Sequence, residues 1–168
     1  SVHPGGFHHN LQSLRVVDVL EATSSRRGMN LTAEVRDGIV NHTGSGKPFT
    51  LEGQVVKISD RVAYINHDID DALRSGVISM EDIPKTALEL FGYSHRERIN
   101  NMVTDLIKNS DGREEISQSP QFREELNRLR TFMFSHVYKS GRVKREEDLA
   151  KVEVVISSLY NYFLRDPS

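Results

Sequence analysis

Apolar residues recur every three or four positions through most of this chain, whereas the alternation of apolar and polar residues typical of strands is nearly absent. Because an α-helix has about 3.6 residues per turn, this spacing gathers the apolar side chains of a segment on one face. The pattern predicts an all-α fold of roughly six or seven helices. The expected helices cover about residues 10–21, 32–42, 52–75, 79–91, 94–109, 120–138 and 144–164.

Length and composition limit the class of protein. The chain has 168 residues, of which 37% are hydrophobic and 27% charged, with a formal net charge of -2 and no cysteine. These values suit one helical domain or fragment over residues 1–168. No apolar run approaches the roughly 20 residues that a membrane-spanning helix needs. The lack of cysteine excludes disulfides and favours a cytoplasmic location. Because the chain begins with Ser1 and lacks a signal segment, we expect it to be part of a longer protein.

The long helix expected over residues 52–75 has two chemically distinct faces. One face is apolar and is predicted to be buried; it comprises Val55, Ile58, Val62, Ile65, Ile69 and Ala72. The opposite face is polar and comprises Asp60, Tyr64, His67, Asp68 and Asp71. One interpretation of the polar face is a solvated helix surface. The other is a site for a divalent cation or a sugar hydroxyl, because carboxylates bind both.

Three segments resemble motifs of one enzyme family. They are FHHNLQSLRVV at residues 7–17, SDRVAYINHDIDDAL at residues 59–73 and FMFSHVY at residues 132–138. In this order they resemble the deoxynucleoside triphosphate triphosphohydrolases, which are HD-superfamily phosphohydrolases. The resemblance implies a multi-helix HD-superfamily-like bundle that forms the C-terminal part of a larger helical enzyme. Residues 1–91 would then contribute to the active site, and residues 92–168 would form the C-terminal helices.

The resemblance also implies a role for individual side chains. Asp60 matches the family's last metal ligand, and Arg61 and Tyr64 match residues that contact the triphosphate. Asp68 matches a residue that hydrogen-bonds the deoxyribose 3′-hydroxyl. His9 matches a catalytic histidine near the α-phosphate, where an imidazole can transfer a proton. The reaction implied is hydrolysis of a deoxynucleoside triphosphate to the deoxynucleoside and triphosphate.

A divalent metal ion is the cofactor that the resemblance implies, with Mg, Mn, Fe and Zn all left open. In the family, a His and a His-Asp doublet precede the residues matched here, and this chain has no equivalent of them. The doublet His67-Asp68 lies too late in the sequence to take that role. We therefore expect an incomplete metal site and an inactive isolated chain. The loop at residues 43–48 resembles a Walker phosphate-binding loop only superficially, because Pro48 follows Lys47 where that pattern requires Ser or Thr.

Two alternatives remain open. The chain could be a non-catalytic helical assembly or regulatory module, and we expect a homo-oligomer and no membrane association. Its apolar residues Leu126, Leu129, Phe132, Met133 and Phe134 suit either a core or an interface, with the core favoured. The other alternative is binding of single-stranded nucleic acid through a basic turn. That turn comprises Lys139, Arg142, Lys144 and Arg145.

Overall fold

Helices form almost everywhere that the apolar spacing predicts them. The computed structural model describes residues 5–141 and 146–166, and the all-α prediction is confirmed. The α-helices are α1 His9–Arg15, α2 Ala33–Asn41, α3 Leu51–Arg74, α4 Lys85–Phe91, α5 His95–Ser110, α6 Pro120–Met133 and α7 Glu146–Arg165. A π-helical turn continues α1 over Val16–Leu20 and another continues α6 over Phe134–Tyr138.

A small hairpin interrupts the helical pattern and was not predicted. Strands β1 (Ala22–Thr23) and β2 (Arg26–Arg27) pair antiparallel, with Ala22 opposite Arg27. The chain then turns back through Gly28, which has a φ of 70°, and a Cβ atom there would lie 2.2 Å from the carbonyl oxygen of Asp18. Only glycine fits this close approach. Two-residue strands give too little alternation for a sequence pattern to reveal.

The helix predicted over residues 79–91 is broken in two. Ser79 and Asp82 form the expected capping interaction, with the Ser79 backbone N–H donating to the Asp82 carboxylate at 2.8 Å. That cap begins only a single 3₁₀ turn, Met80–Asp82. Pro84 follows, and a residue before proline is driven out of the helical region, as the ψ of 135° at Ile83 demonstrates. Helix α4 therefore starts only at Lys85.

The hydrophobic core lies where α3 meets α4, α5 and α6. Its α3 contribution is Val62, Ile65, Ile69 and Ala72, as predicted. The same prediction is wrong for Val55, whose side chain is 41% exposed, and Ile58 is only half-buried. These two residues lie in the N-terminal part of α3, before its buried stretch, and Ile58 packs only partly against the core. The core preference for Leu126, Leu129 and Met133 is confirmed, whereas Phe132 is half-buried and Phe134 is exposed.

A buried polar network crosses the interface between α3 and α5. Arg98 is 2% exposed, and its guanidinium donates to Asn66 Oδ1 at 2.9 Å and to Asp70 Oδ1 at 2.5 Å. His95 Nδ1 lies 2.6 Å from the other oxygen of Asp70. A buried guanidinium is tolerated because its charge is paired and its N–H groups have acceptors. The network therefore fixes how α5 sits against α3.

Helix α7 displays a continuous apolar face to solvent. Leu149, Val152, Ile156, Leu159 and Phe163 follow each other at alternating spacings of three and four, and each is about half exposed or more. Among the described residues, no helix is both long and apolar enough to cross a membrane. Of the predicted basic turn, Lys139 is exposed, and Arg142, Lys144 and Arg145 lie outside the described residues.

Candidate functional site

Helix α3 lines up five polar side chains that point to the same side. Lys57, Asp60, Arg61, Tyr64 and Asp68 fall within about 100° of arc on the helix surface. The first four line a cavity of about 340 Å³, here called the central cavity. Its lining residues are His42, Thr43, Gly44, Ser45, Lys57, Asp60, Arg61, Tyr64 and Arg130. The structure thus brings together three of the five residues that the family resemblance singles out.

The carboxylate of Asp60 is available for a ligand. It is exposed and has neither a hydrogen bond nor an ion pair to any residue that the structure describes. Three cationic side chains, Lys57, Arg61 and Arg130, line the same cavity. One free carboxylate among three cations makes the cavity net positive, which suits an anion with several charges.

His9 reaches the central cavity through a second histidine. His9 Nε2 lies 3.2 Å from His42 Nε2, and His42 lines the cavity. His42 Nδ1 lies 2.7 Å from the carbonyl oxygen of Ile39, which can only accept, so this nitrogen carries a proton. A neutral His42 then accepts at Nε2, and His9 donates. The two rings therefore share one hydrogen bond at the edge of the cavity.

The position of His9 depends on how α1 docks against α2. The side-chain amide of Asn10 donates to the carbonyl oxygen of Val40 at 2.7 Å, near the C-terminal end of α2. Ser13 Oγ donates to the carbonyl oxygen of His9 at 2.8 Å. Helix α2 in turn packs closely on α3, because Gly38 and Gly53 face each other without side chains. These contacts place His9 near the polar face of α3.

Lys57 organises the loop that forms one wall of the central cavity. Its ammonium group donates to the carbonyl oxygens of Asn41 at 3.1 Å and Gly44 at 2.9 Å, and also to that of Gly46. Burial lowers the pKa of Lys57, and the neighbouring charge of Arg61 lowers it further. An ammonium with several carbonyl acceptors holds the loop at residues 41–46 in a single conformation.

Replacing Lys57 by methionine tests this organising role. We expect the free energy of unfolding to fall by about 1–3 kcal/mol, because the loop carbonyls lose a charged donor. Limited proteolysis should also cut the loop at residues 43–47 faster. The matched control is Lys108→Met, an exposed lysine on α5, for which the change should stay within about 0.5 kcal/mol. If the two substitutions lower the free energy of unfolding equally in urea, Lys57 does not stabilise the loop.

Asp68 lies one turn beyond Tyr64 and binds a residue from the end of α6. The hydroxyl group of Tyr138 donates to Asp68 Oδ2. Burial raises the pKa of Tyr138, and the hydrogen bond to Asp68 raises it further, so the hydroxyl keeps its proton and remains a donor at neutral pH. The positive charge of Arg130 acts on the pKa of Tyr138 in the opposite direction and lowers it.

His67 lies apart from this site. Its ring centroid is 5.3 Å from that of His95 on α5, whereas Asp68 binds Tyr138 near the end of α6. Although adjacent in sequence, the two members of the doublet therefore face different helices.

A divalent metal ion is the cofactor that the resemblance implies, and Asp60 fits a ligand role because carboxylates bind hard cations. Within residues 5–141 and 146–166, no group of three or more His, Asp or Glu side chains is arranged to hold a metal ion. Catalytic metal sites commonly use about three protein ligands. An ion held by Asp60 would therefore need additional ligands.

Four residues of the site were not predicted: His42, Lys57, Arg130 and Tyr138. His42 and Arg130 come from α2 and α6, and no spacing along the sequence connects them with α3. Tyr138 belongs to a segment that was recognised, but its contact with Asp68 joins residues 70 positions apart. Lys57 alone had a sequence signal, because it lies one helical turn before Arg61 on the same face.

A larger cavity of about 650 Å³ lies between α2 and the start of α3. Its apolar lining includes Val35, Ile39 and Val56, and it shares only His42 with the central cavity. It contains none of the residues predicted to bind substrate or metal, so we do not assign it to the site.

Comparison with known proteins supports the family resemblance. A family model described as the phosphohydrolase-associated domain matches residues 116–168. Proteins named deoxyguanosinetriphosphate triphosphohydrolase-like protein match nearly the whole chain. The one from Caldanaerobacter subterraneus is 52% identical over 159 residues, which are 95% of this chain and 46% of the relative. The one from Clostridium tetani is 42% identical over 174 residues, covering 97% of this chain and 49% of the relative.

A more distant relative of the same name, from Bordetella parapertussis, is 32% identical over 213 residues and covers 97% of this chain and 55% of the relative. The chain thus spans about half the length of the curated relatives it matches. The match with the phosphohydrolase-associated domain covers α6 and α7, including Arg130 and Tyr138 of the site. Taken together, these matches show that the chain is similar, over nearly its whole length, to part of the proteins named deoxyguanosinetriphosphate triphosphohydrolase-like protein.

Proposed function

We propose that this chain is part of a metal-dependent hydrolase that cleaves deoxynucleoside triphosphates to the deoxynucleoside and triphosphate. The observation that carries the proposal is the central cavity. Asp60, Arg61 and Tyr64 line it together, and the His9–His42 pair lies at its edge. Residues from α1, α2, α3 and α6 converge there, although they are distant in sequence. The names of the relatives point to the same class of substrate.

The proposed roles follow from the chemistry of each side chain. Arg61 and Arg130 bind phosphate oxygens, because a guanidinium remains charged and presents a planar set of donors. Asp68 accepts a hydrogen bond from the deoxyribose 3′-hydroxyl, with Tyr138 holding its carboxylate in place. Tyr64 lies between these two groups on α3 and contacts the triphosphate.

The reaction exchanges one bond at the α-phosphorus. The oxygen of a water molecule bonds to phosphorus while the bond from phosphorus to the 5′-oxygen breaks. The 5′-oxygen takes up one proton and the attacking water gives one up, and His9 is the group that we propose to transfer it. When bound, a divalent ion polarises the phosphate and lowers the pKa of its water. Because Asp60 is one ligand of several, we expect the isolated chain to hydrolyse little.

A chimera tests the proposal. In it, this chain replaces the 46% of the Caldanaerobacter relative that it matches. With a divalent metal salt and each of the four deoxynucleoside triphosphates, we expect equal amounts of deoxynucleoside and triphosphate, measured by ion-exchange chromatography. The isolated chain under the same conditions should release at least about 100-fold less. Release of monophosphate or pyrophosphate instead would contradict the proposed bond cleavage.

One observation favours a second candidate function, a helical assembly module that forms a homo-oligomer. It is the apolar face of α7, whose residues Leu149, Val152, Ile156, Leu159 and Phe163 are exposed. A contiguous exposed apolar stripe is typical of a surface that contacts another protein. If the chimera releases no triphosphate while the chain forms stable oligomers in light scattering, the assembly function is supported over the enzymatic one.

A further inference from the structure

A second cavity adjoins the central cavity and is strongly basic. Its volume is about 440 Å³, and it shares Gly44, Ser45, Lys57 and Arg61 with the central cavity. Its charged lining residues are Lys47, Lys57, Arg61, Glu115 and Arg123. Four cations face one carboxylate, and Lys47 pairs with that carboxylate at 2.8 Å. Arg123 has no ion pair among the described residues, so its charge is available to a ligand.

The walls of this basic cavity are held in place by hydrogen bonds. Gln54 is buried, and its side chain donates to the carbonyl oxygen of Pro48 at 3.1 Å and accepts from the N–H of Ile116 at 3.0 Å. It therefore ties the loop before α3 to the loop before α6. The second loop is fixed again where the N–H of Ser117 donates to Ser110 Oγ at 3.0 Å. The cavity is thus a built feature of the fold.

Gln118 adds a polar group without a partner. Gln118 lines the basic cavity, and its side-chain nitrogen is buried and has no hydrogen-bond partner within the part of the chain that the structure describes. A buried N–H group is normally satisfied, because leaving it unpaired costs free energy. An amide donor and free cations in one cavity are the groups that bind phosphate oxygens.

The order of groups along α3 shows which part of a nucleotide would reach this cavity. Asp68 and Tyr138 mark the proposed sugar end, and Arg61 lies seven residues, or about 10 Å, nearer the N-terminus of α3. Lys57 lies one further turn along, at the boundary with the basic cavity. A triphosphate that passes Arg61 away from the sugar therefore enters the basic cavity.

We propose that the basic cavity is a polyphosphate site, which receives the terminal phosphates of the bound nucleotide and then the triphosphate product through Arg123 and Gln118. This inference rests on the proposed function, because that function supplies the orientation of the nucleotide. It assigns a binding role to residues 115–123, which no sequence motif singled out. It also explains why a cavity so rich in cations continues directly from the central one.

Binding of inorganic tripolyphosphate to the 168-residue chain tests the inference by calorimetry. We expect Arg123→Gln to weaken binding about tenfold, because one charge-assisted contact is lost. Gln118→Leu should weaken binding as well, without lowering the thermal midpoint, because the amide it removes has no partner in the protein. The control is Arg96→Gln, an exposed arginine on α5 with the same change of charge and no place in either cavity.

The inference is overturned if Arg123→Gln and Arg96→Gln bind tripolyphosphate equally. Orthophosphate that binds as tightly as tripolyphosphate overturns it too, because it would indicate a site for a single phosphate. The chimera separates this inference from the proposed function. If it releases triphosphate while Arg123→Gln binds tripolyphosphate normally, only the polyphosphate site is refuted. If it hydrolyses no nucleotide while Arg123→Gln weakens binding, the reaction is refuted and the anion site stands.

Discussion

Replacing Asp60 by alanine in the chimera abolishes triphosphate release, with an expected loss of at least about 1,000-fold. Among the residues that the structure describes, this carboxylate has no hydrogen bond or ion pair, and Asp60 is the only acidic residue that lines the central cavity. A ligand that helps hold a catalytic ion contributes several kcal/mol to the transition state, and each 1.36 kcal/mol is about tenfold in rate. The measurement is the initial rate of triphosphate release at saturating metal and nucleotide.

The control for this substitution is Asp71→Ala on the same helix. Asp71 is exposed, pairs with Arg74 at 3.1 Å and lines neither cavity of the site. The Asp71→Ala substitution removes the same charge from α3 and should leave the rate of triphosphate release within about twofold of the unsubstituted chimera. Because Asp60 is exposed, its replacement should not change the thermal midpoint. An Asp60→Ala chimera that keeps the rate of the Asp71→Ala chimera would remove the basis of the enzymatic proposal.

Replacing Asp70 by alanine lowers the free energy of unfolding by about 2–4 kcal/mol, the largest stability effect that we expect in this chain. The substitution leaves the guanidinium of Arg98 buried without its counter-charge, and the partner of a buried charge is costly to remove. Asp70 itself is 31% exposed, so water screens the pair in part and the expected loss is below that of a fully buried pair. Urea unfolding followed by circular dichroism measures the change.

Asp71→Ala is again the matched control, because the two aspartates are neighbours on α3. Its ion pair is exposed, so the loss should be below about 0.5 kcal/mol. Adding Arg98→Leu to Asp70→Ala should restore part of the lost stability, since the uncompensated charge disappears. If Asp70→Ala and Asp71→Ala lower the free energy of unfolding by similar amounts, the Arg98 network stabilises the chain no more than an exposed ion pair does.

The sequence predicted most of the fold because helices are encoded by local spacing. Periodicity alone placed four residues on the buried face of α3, and all four are buried: Val62, Ile65, Ile69 and Ala72. The same rule was wrong for Val55, since periodicity identifies an apolar face but does not tell how far along a helix its packing partner extends. The break before α4 depended on Pro84, whose effect on Ile83 outweighed the capping signal at Ser79.

The candidate site was predictable only where it lies on one helix. Asp60, Arg61, Tyr64 and Asp68 share a face because of their spacing, and the resemblance supplied their roles. His42 and Arg130 reach the cavity through packing between helices, which the sequence does not reveal. The roles given to His9, Asp60, Arg61, Tyr64 and Asp68 stay predictions, as does the division of the chain between residues 91 and 92.

A single helix carries the groups proposed to bind the sugar, the phosphates and the metal, and this limits how the protein can change in evolution. Each residue inserted into or deleted from α3 between Lys57 and Asp68 rotates the remainder of the helix by about 100°. Tyr64 or Asp68 would then turn away from the groups that remain in place, and the buried residues beyond them would turn out of the core. Along this stretch, individual side chains can be exchanged, but the number of residues between them cannot vary.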